Sequence, residues 1–183
     1  NGVKVFTTLD PLSQRHAQTA AQAVLAELDK GAKNQLQTAM VISERYSGAI
    51  RALIGGREKN NQGFNRALDA RRPIGSLVKP FVYLSAFEQG HQLGELLENS
   101  PLSVPLDDGS QWQPQNYDKT TGEPVMLVDA LAHSLNIPTV RLGLAVGLDS
   151  VVNTLHKAGL QEQVQAYPSL LLGSLTLSPF QMA

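Results

Sequence analysis

Residues 81–87, Phe-Val-Tyr-Leu-Ser-Ala-Phe, put apolar side chains on every side of a helical projection, and a helix of that kind must be buried over most of its surface. Gly90 follows as a natural terminator. The segment entering this helix, Arg71-Arg72-Pro73-Ile74-Gly75-Ser76-Leu77-Val78-Lys79-Pro80, places Ser76 and Lys79 in its first turn. Side chains at i and i+3 share a helix face, so the Lys79 amine can reach the Ser76 hydroxyl. That pairs a nucleophile with a base, provided the lysine is neutral. Burial and the positive end of the helix dipole both favour the neutral form, and the same dipole favours an oxyanion at Ser76. Pro80 lacks an N–H and crowds the Ser76 carbonyl, so this first turn is expected to be distorted. A serine and a lysine at this spacing recur by chance in many chains. This pair differs in opening a nearly all-apolar helix, where an unpaired buried lysine would be costly.

The remaining pattern is α+β, with an antiparallel sheet packed against helices. Residues 3–9 are rich in β-branched side chains and read as a strand. Asp10 and Pro11 then cap a helix whose apolar face is formed by Leu12, His16, Ala20, Ala23, Val24 and Leu28, closed by Gly31. His16 on that face reads as a packed or partly exposed core histidine without chemistry. Residues 38–43 and 49–54, joined by a short loop ending in Gly48, predict a hairpin. The polar run 57–62 reads as a solvated surface turn, and Pro101, Pro105, Pro114 and Asp108-Gly109 mark an irregular stretch with a small hairpin, in which Trp112 reads as an apolar plug in preference to a docking ring. A helical pattern returns from Val125 to His133. Pro138 disfavours α geometry at Ile137, so Ser134 and Asn136 fall at a helix end or in the connection after it, free to point into a cleft. Gly143 suggests close packing, residues 149–158 a helix stopped by Gly159, and Ser178-Pro179 the start of another. Beginning at Asn1 and ending one turn into that last helix, residues 1–183 read as a partial domain.

A net charge of −1 and 5% aromatic residues supply neither the basic footprint nor the stacking surface of a nucleic-acid binder. Without cysteine, disulfide scaffolds and thiol catalysis are excluded. His16, His91, His133 and His156 are scattered without metal-ligand spacing, so neither a metal nor any cofactor is expected. No apolar run approaches the roughly 18 residues of a membrane span. What remains is Ser76-Leu77-Val78-Lys79 followed further along by Ser134-Leu135-Asn136.

Those two motifs occur together in β-lactamases and penicillin-binding proteins. With Thr7-Thr8-Leu9-Asp10-Pro11, Ile50-Arg51-Ala52-Leu53-Ile54-Gly55-Gly56, Phe64-Asn65-Arg66-Ala67, Trp112-Gln113-Pro114-Gln115-Asn116 and residues 126–143, the chain resembles the transpeptidase domain of class A bifunctional penicillin-binding proteins. It is most similar to the 1B type of Gram-negative bacteria. The resemblance implies the N-terminal part of a penicillin-binding-protein/β-lactamase-like transpeptidase domain and an acyl-serine mechanism. In it, Ser76 attacks the penultimate D-Ala carbonyl of a peptidoglycan stem peptide, Lys79 takes the hydroxyl proton, Ser134 relays protons and Asn136 holds the donor amide. It further implies lipid-linked precursor and β-lactam antibiotics as ligands, and a membrane-anchored parent with a glycosyltransferase domain on the periplasmic face of the bacterial inner membrane. Leu135 stands where some relatives carry Asp. No Lys-Thr-Gly triplet occurs, so the strand bearing it is expected beyond these 183 residues, and this stretch alone is expected to be inactive. The alternative is a penicillin-sensing receptor domain acylated at the same serine.

Overall fold

In the computed structural model, residues 2–29, 36–58 and 63–183 are described. They form two compact units, one running up to Arg72 and including Leu177–Ala183, the other Pro73–Thr176. The fold is α+β, as expected.

In the first unit, α1 (Pro11–Leu28) starts where Asp10 accepts hydrogen bonds from the Ser13 N–H at 2.8 Å and the Leu12 N–H at 3.4 Å. The hairpin is present as β1 (Met40–Ser43) and β2 (Ile50–Ile54), antiparallel with a bulge between Ile42 and Ser43. Helix α1 packs on this hairpin, but through Ala17, Ala21 and Leu25. The face expected from the sequence is displaced: Leu12, Val24 and Leu28 are exposed, and so is His16. Ala17 on the buried face lets the helix backbone approach Ala52 and Ile54 closely, and Leu25 is the one large aliphatic residue of α1 that is buried with it.

Residues 3–9 are not a strand. Only the end of the segment meets β2, through the Asp10 N–H to Arg51 carbonyl bond at 2.8 Å and the Thr8 Oγ1 to Ile50 carbonyl bond at 2.7 Å, while Val3, Val5 and Phe6 are exposed. Beyond that point the Gln14 side-chain amide takes over the same strand, bonding both the N–H and the C=O of Leu53 at 2.9 and 3.0 Å. One backbone N–H and the Thr8 and Gln14 side chains thus occupy the edge that a further strand would have covered.

Arg57, expected in a solvated turn, instead pairs with Asp29 and donates to the Leu36 carbonyl. Gly31 and residues 59–62 lie outside the described residues. Helix α2 (Arg66–Asp69) is capped by Asn65, and Ser178 with Gln181 forms the capping box of the final short helix, Pro179–Met182.

The second unit is built on α3 (Lys79–Glu88), which follows a 3₁₀ turn at Gly75–Val78. The distortion expected from Pro80 therefore takes this form. Val82, Tyr83 and Ala86 bury one side of α3, while Leu84 and Phe87 stay exposed. Strand β3 (Leu96–Asn99) pairs antiparallel with β6 (Gly122–Met126), and between them β4 (Val104–Pro105) and β5 (Gln111–Trp112) form the small hairpin. The two residues Val125 and Met126 belong to β6; the helix read from Val125 begins only at Leu127. Helix α4 (Leu127–Ala132) leads to α5 (Asn136–Val146) and α6 (Leu148–Lys157). Ile137 is helical despite preceding Pro138, because the proline sits in the first turn, where its missing N–H has no intrahelical partner to lose.

Helices α3, α5 and α6 enclose a core containing Val82, Tyr83, Val140, Leu142, Val151 and Leu155. Gly143 is the expected close-packing site, since a Cβ there would collide with the Leu171 side chain. Leu171 lies in a 3₁₀ turn, Pro168–Leu172, that ends at Gly173 with φ +80°. A Cβ on Gly173 would strike the Gly75 backbone, and the Gly75 N–H donates to the Gly173 carbonyl at 3.0 Å. That contact seats the turn carrying Ser76.

Candidate active site

Helices α3, α4 and α6 end in the same way. In each, the N–H of the residue after the cap and the N–H of the one after that bond back into the last turn, which requires a left-handed residue. Glycine supplies it at Gly90 (φ +93°) and Gly159 (φ +109°). At the end of α4 the same position is Ser134, with φ +53°. A side chain in this conformation costs roughly 1–2 kcal/mol, and such strain collects at functional sites. The strain holds Ser134 on a sharp bend between α4 and α5. Since glycine and alanine both lack the hydroxyl, Ser134→Gly is expected to be more stable than Ser134→Ala by about 1 kcal/mol, the reverse of their order in a helix. Chemical denaturation of the two variants checks this.

Lys79 is 1% exposed, beneath the exposed residues Ser76 and Ser134. Its Nζ donates to the Ser134 carbonyl at 2.5 Å, to Ser134 Oγ at 3.0 Å and to Asn136 Oδ1 at 2.7 Å. All three ammonium protons are therefore used. Burial lowers the Lys79 pKa to about 8. The structure brings Lys79, Ser134 and Asn136 into one hydrogen-bonded cluster. Ser76 sits one turn before Lys79, but among the described residues its Oγ has no hydrogen bond to the amine. The lysine protons are instead directed at the α4–α5 connection.

A second link ties α3 to the start of α5. Thr139 donates to the Leu135 carbonyl at 2.6 Å, which leaves Tyr83 to donate its hydroxyl proton to Thr139 Oγ1 at 3.1 Å. Tyr83 follows Lys79 by one helical turn and Thr139 follows Asn136 by one, so this buried bond sets the spacing of the polar cluster. Burial also raises the Tyr83 pKa, keeping its hydroxyl neutral.

Sequence reasoning missed the residues that hold Asn136. Its Nδ2 donates to the Gln115 carbonyl at 2.7 Å, and its backbone N–H donates to Asn116 Oδ1 at 2.8 Å. Both residues belong to the Trp112–Asn116 segment, but no spacing rule connects that segment to α5. Beside it opens a cavity of about 390 Å³, lined by Pro101, Gln113, Gln115, Lys119 and Ile137 among others. Of the histidines, His91 hydrogen-bonds Glu95, His133 bonds back to the Asp129 carbonyl in α4 and His156 bonds the Leu160 carbonyl, and none of these bonds reaches Lys79.

A buried lysine of lowered pKa under two accessible serine hydroxyls is suited to serine acyl chemistry. Residues 38–183 match the family described as the penicillin binding protein transpeptidase domain, and the chain belongs to that family. It is 45% identical over 186 residues to penicillin-binding protein 1B of Vibrio cholerae, and that alignment takes in 100% of this chain and 24% of the relative. To penicillin-binding protein 1B of Escherichia coli it is 43% identical over 189 residues, again across 100% of the chain and 22% of the relative. The chain thus spans about a quarter of the length of these curated relatives. Among solved structures, penicillin-binding protein 1A from Haemophilus influenzae superposes with a TM-score of 0.75 at 33% identity, covering 80% of this chain and 22% of that one. The PonA1 protein of Mycobacterium tuberculosis in complex with penicillin V gives a TM-score of 0.76 at 28% identity, covering 97% and 48%.

Proposed function

We propose that this chain is part of the transpeptidase domain of a bifunctional peptidoglycan synthase that crosslinks D-Ala-D-Ala stem peptides through an acyl-serine intermediate. The observation that carries the reading is the cluster of Lys79 with Ser134 and Asn136 one turn from Ser76. With a pKa of about 8, roughly a tenth of Lys79 is neutral at pH 7, against a negligible fraction for an ordinary lysine.

Ser76 Oγ attacks the penultimate D-Ala carbonyl and its proton passes to neutral Lys79. The C–N bond to the terminal D-Ala breaks, and the leaving amine takes the proton by way of Ser134, whose hydroxyl already contacts Nζ at 3.0 Å. The amine of a second stem peptide then attacks the ester, forms the crosslink and returns a proton to Ser76. Asn136, with its amide held between Lys79 and Gln115, positions the donor peptide. A β-lactam follows the first half of this course, but its ring nitrogen stays tethered after the C–N bond opens. The PonA1 protein, of similar fold, is solved in complex with penicillin V, which supports a β-lactam site in this fold.

The relatives' greater length supports a parent with a glycosyltransferase domain and a membrane anchor on the periplasmic face, using lipid-linked precursor; among the described residues no helix is long and apolar enough to cross a membrane. The missing Lys-Thr-Gly strand then belongs to a part of the domain beyond these residues, and the isolated stretch is inactive. The receptor alternative finds no support among these relatives.

The test is product analysis. Full-length protein given lipid-linked precursor with pentapeptide stems is expected to yield crosslinked muropeptides, and Ser76→Ala none. Stable acylation by penicillin without any crosslinked product from wild type would overturn the synthase reading in favour of the receptor.

A further inference from the structure

Helix α5 begins at Asn136 without a cap of its own, because Leu135 precedes it and offers no side-chain acceptor. Pro138 contributes no N–H, so the donors needing a partner at this terminus are those of Asn136 and Ile137. Both go to one atom outside the helix, Asn116 Oδ1, at 2.8 and 3.0 Å. The Asn116 Nδ2 donates to Asn99 Oδ1 at 2.8 Å and to the Thr120 carbonyl at 2.7 Å. Asn116 is 2% exposed, and its four hydrogen-bonding positions are all filled. Its amide cannot be reversed, since nitrogen would then face two donors and oxygen two acceptors.

The neighbouring carbonyl, Gln115 O, takes the Nδ2 proton of Asn136, which leaves Asn136 Oδ1 directed at Lys79. Residues 115 and 116 therefore grip Asn136 by backbone and side chain together, from a segment anchored on β3 through Asn99. We propose that Asn116 is a positioning residue for acylation: it fixes the start of α5 so that the Asn136 amide presents its oxygen to Lys79 and keeps the amine in place. This rests on the acyl-serine reading above, but assigns a function to a side chain that touches neither lysine nor serine.

A cap that served the helix alone would lower stability and leave the chemistry intact. A cap that aims Asn136 gives a different result, because a displacement of about 1 Å in a reacting group costs on the order of 10² in rate. The experiment measures the second-order rate of acylation by a fluorescent penicillin in the full-length protein, for Asn116→Ala, Asn136→Ala and the double variant. Asn116→Ala is expected to lose roughly 10–10²-fold, yet to change the rate by less than about twofold once Asn136 is alanine, since two residues acting through one group are not additive. Equal losses in both backgrounds, or a single variant within about twofold of wild type, would overturn the proposal. Should Asn116→Ala not fold, Asn116→Ser enters the same cycle with the same outcomes. Failure of wild type to be labelled would instead strike the acyl-serine reading, and shows in a separate arm.

Discussion

Lys79→Arg is expected to slow acylation by penicillin roughly 10²–10⁴-fold, the usual worth of a general base. The guanidinium remains protonated at any working pH and cannot accept the Ser76 proton. It keeps a positive charge and hydrogen-bond donors for the acceptors around Lys79, the Ser134 carbonyl, Ser134 Oγ and Asn136 Oδ1, although its planar fork is larger than the ammonium it replaces. The loss therefore does not come from removing the charge, and unchanged thermal stability of the variant separates lost proton transfer from a disturbed site. Stopped-flow labelling of the full-length variant measures it, and a rate within about threefold of wild type would show that another group is the base.

The second large effect concerns Asn136→Asp, a change of one amide for a carboxylate 2.7 Å from the lysine amine. An opposite charge at this range stabilises the ammonium and raises a lysine pKa by about 1–3 units. In wild type, acylation should rise with pH, reach half its limit near pH 8 and level off above, because the reactive form is the neutral amine. In the variant the midpoint should move up by one to three units, so that the rate at pH 7 falls by about 10–10³-fold and recovers in part as pH rises. Asn136 also contacts the donor in the proposed mechanism, which would lower the rate at every pH without moving the midpoint. The pH profile separates the two, and a midpoint at or below that of wild type would contradict the assignment of Lys79.

Much of this site was legible in the sequence because its signal is local. Ser76 and Lys79 stand one turn apart at the head of an apolar helix, and Ser134 and Asn136 flank a break that Pro138 announces. The hairpin β1–β2 was visible for a similar reason, as two short apolar runs around a glycine-ended loop. The parts that were missed depend on distant partners. Strands β3 and β6 contain Glu98, Asn99, Gly122 and Pro124, residues of poor strand propensity, and they are defined by pairing with each other across the intervening hairpin. The α1 face was misplaced because Ala17 and Ala21, with Leu25, are buried in place of Leu12, Val24 and Leu28. The strain at Ser134 is hidden by the absence of the glycine that marks the equivalent positions at Gly90 and Gly159. Asn116 was visible only as a member of the Trp112–Asn116 segment that carries the resemblance; its capping role left no cue, since a helix cap supplied from another segment leaves no mark at the helix start.

The acyl-serine mechanism requires Ser76 to be the group acylated. The direct measurement is incubation of the full-length protein with penicillin, proteolysis and mass-spectrometric mapping of the adduct. One penicilloyl group on the peptide containing Ser76, absent from Ser76→Ala, is the predicted result. An adduct on Ser134, or undiminished labelling of Ser76→Ala, would contradict it.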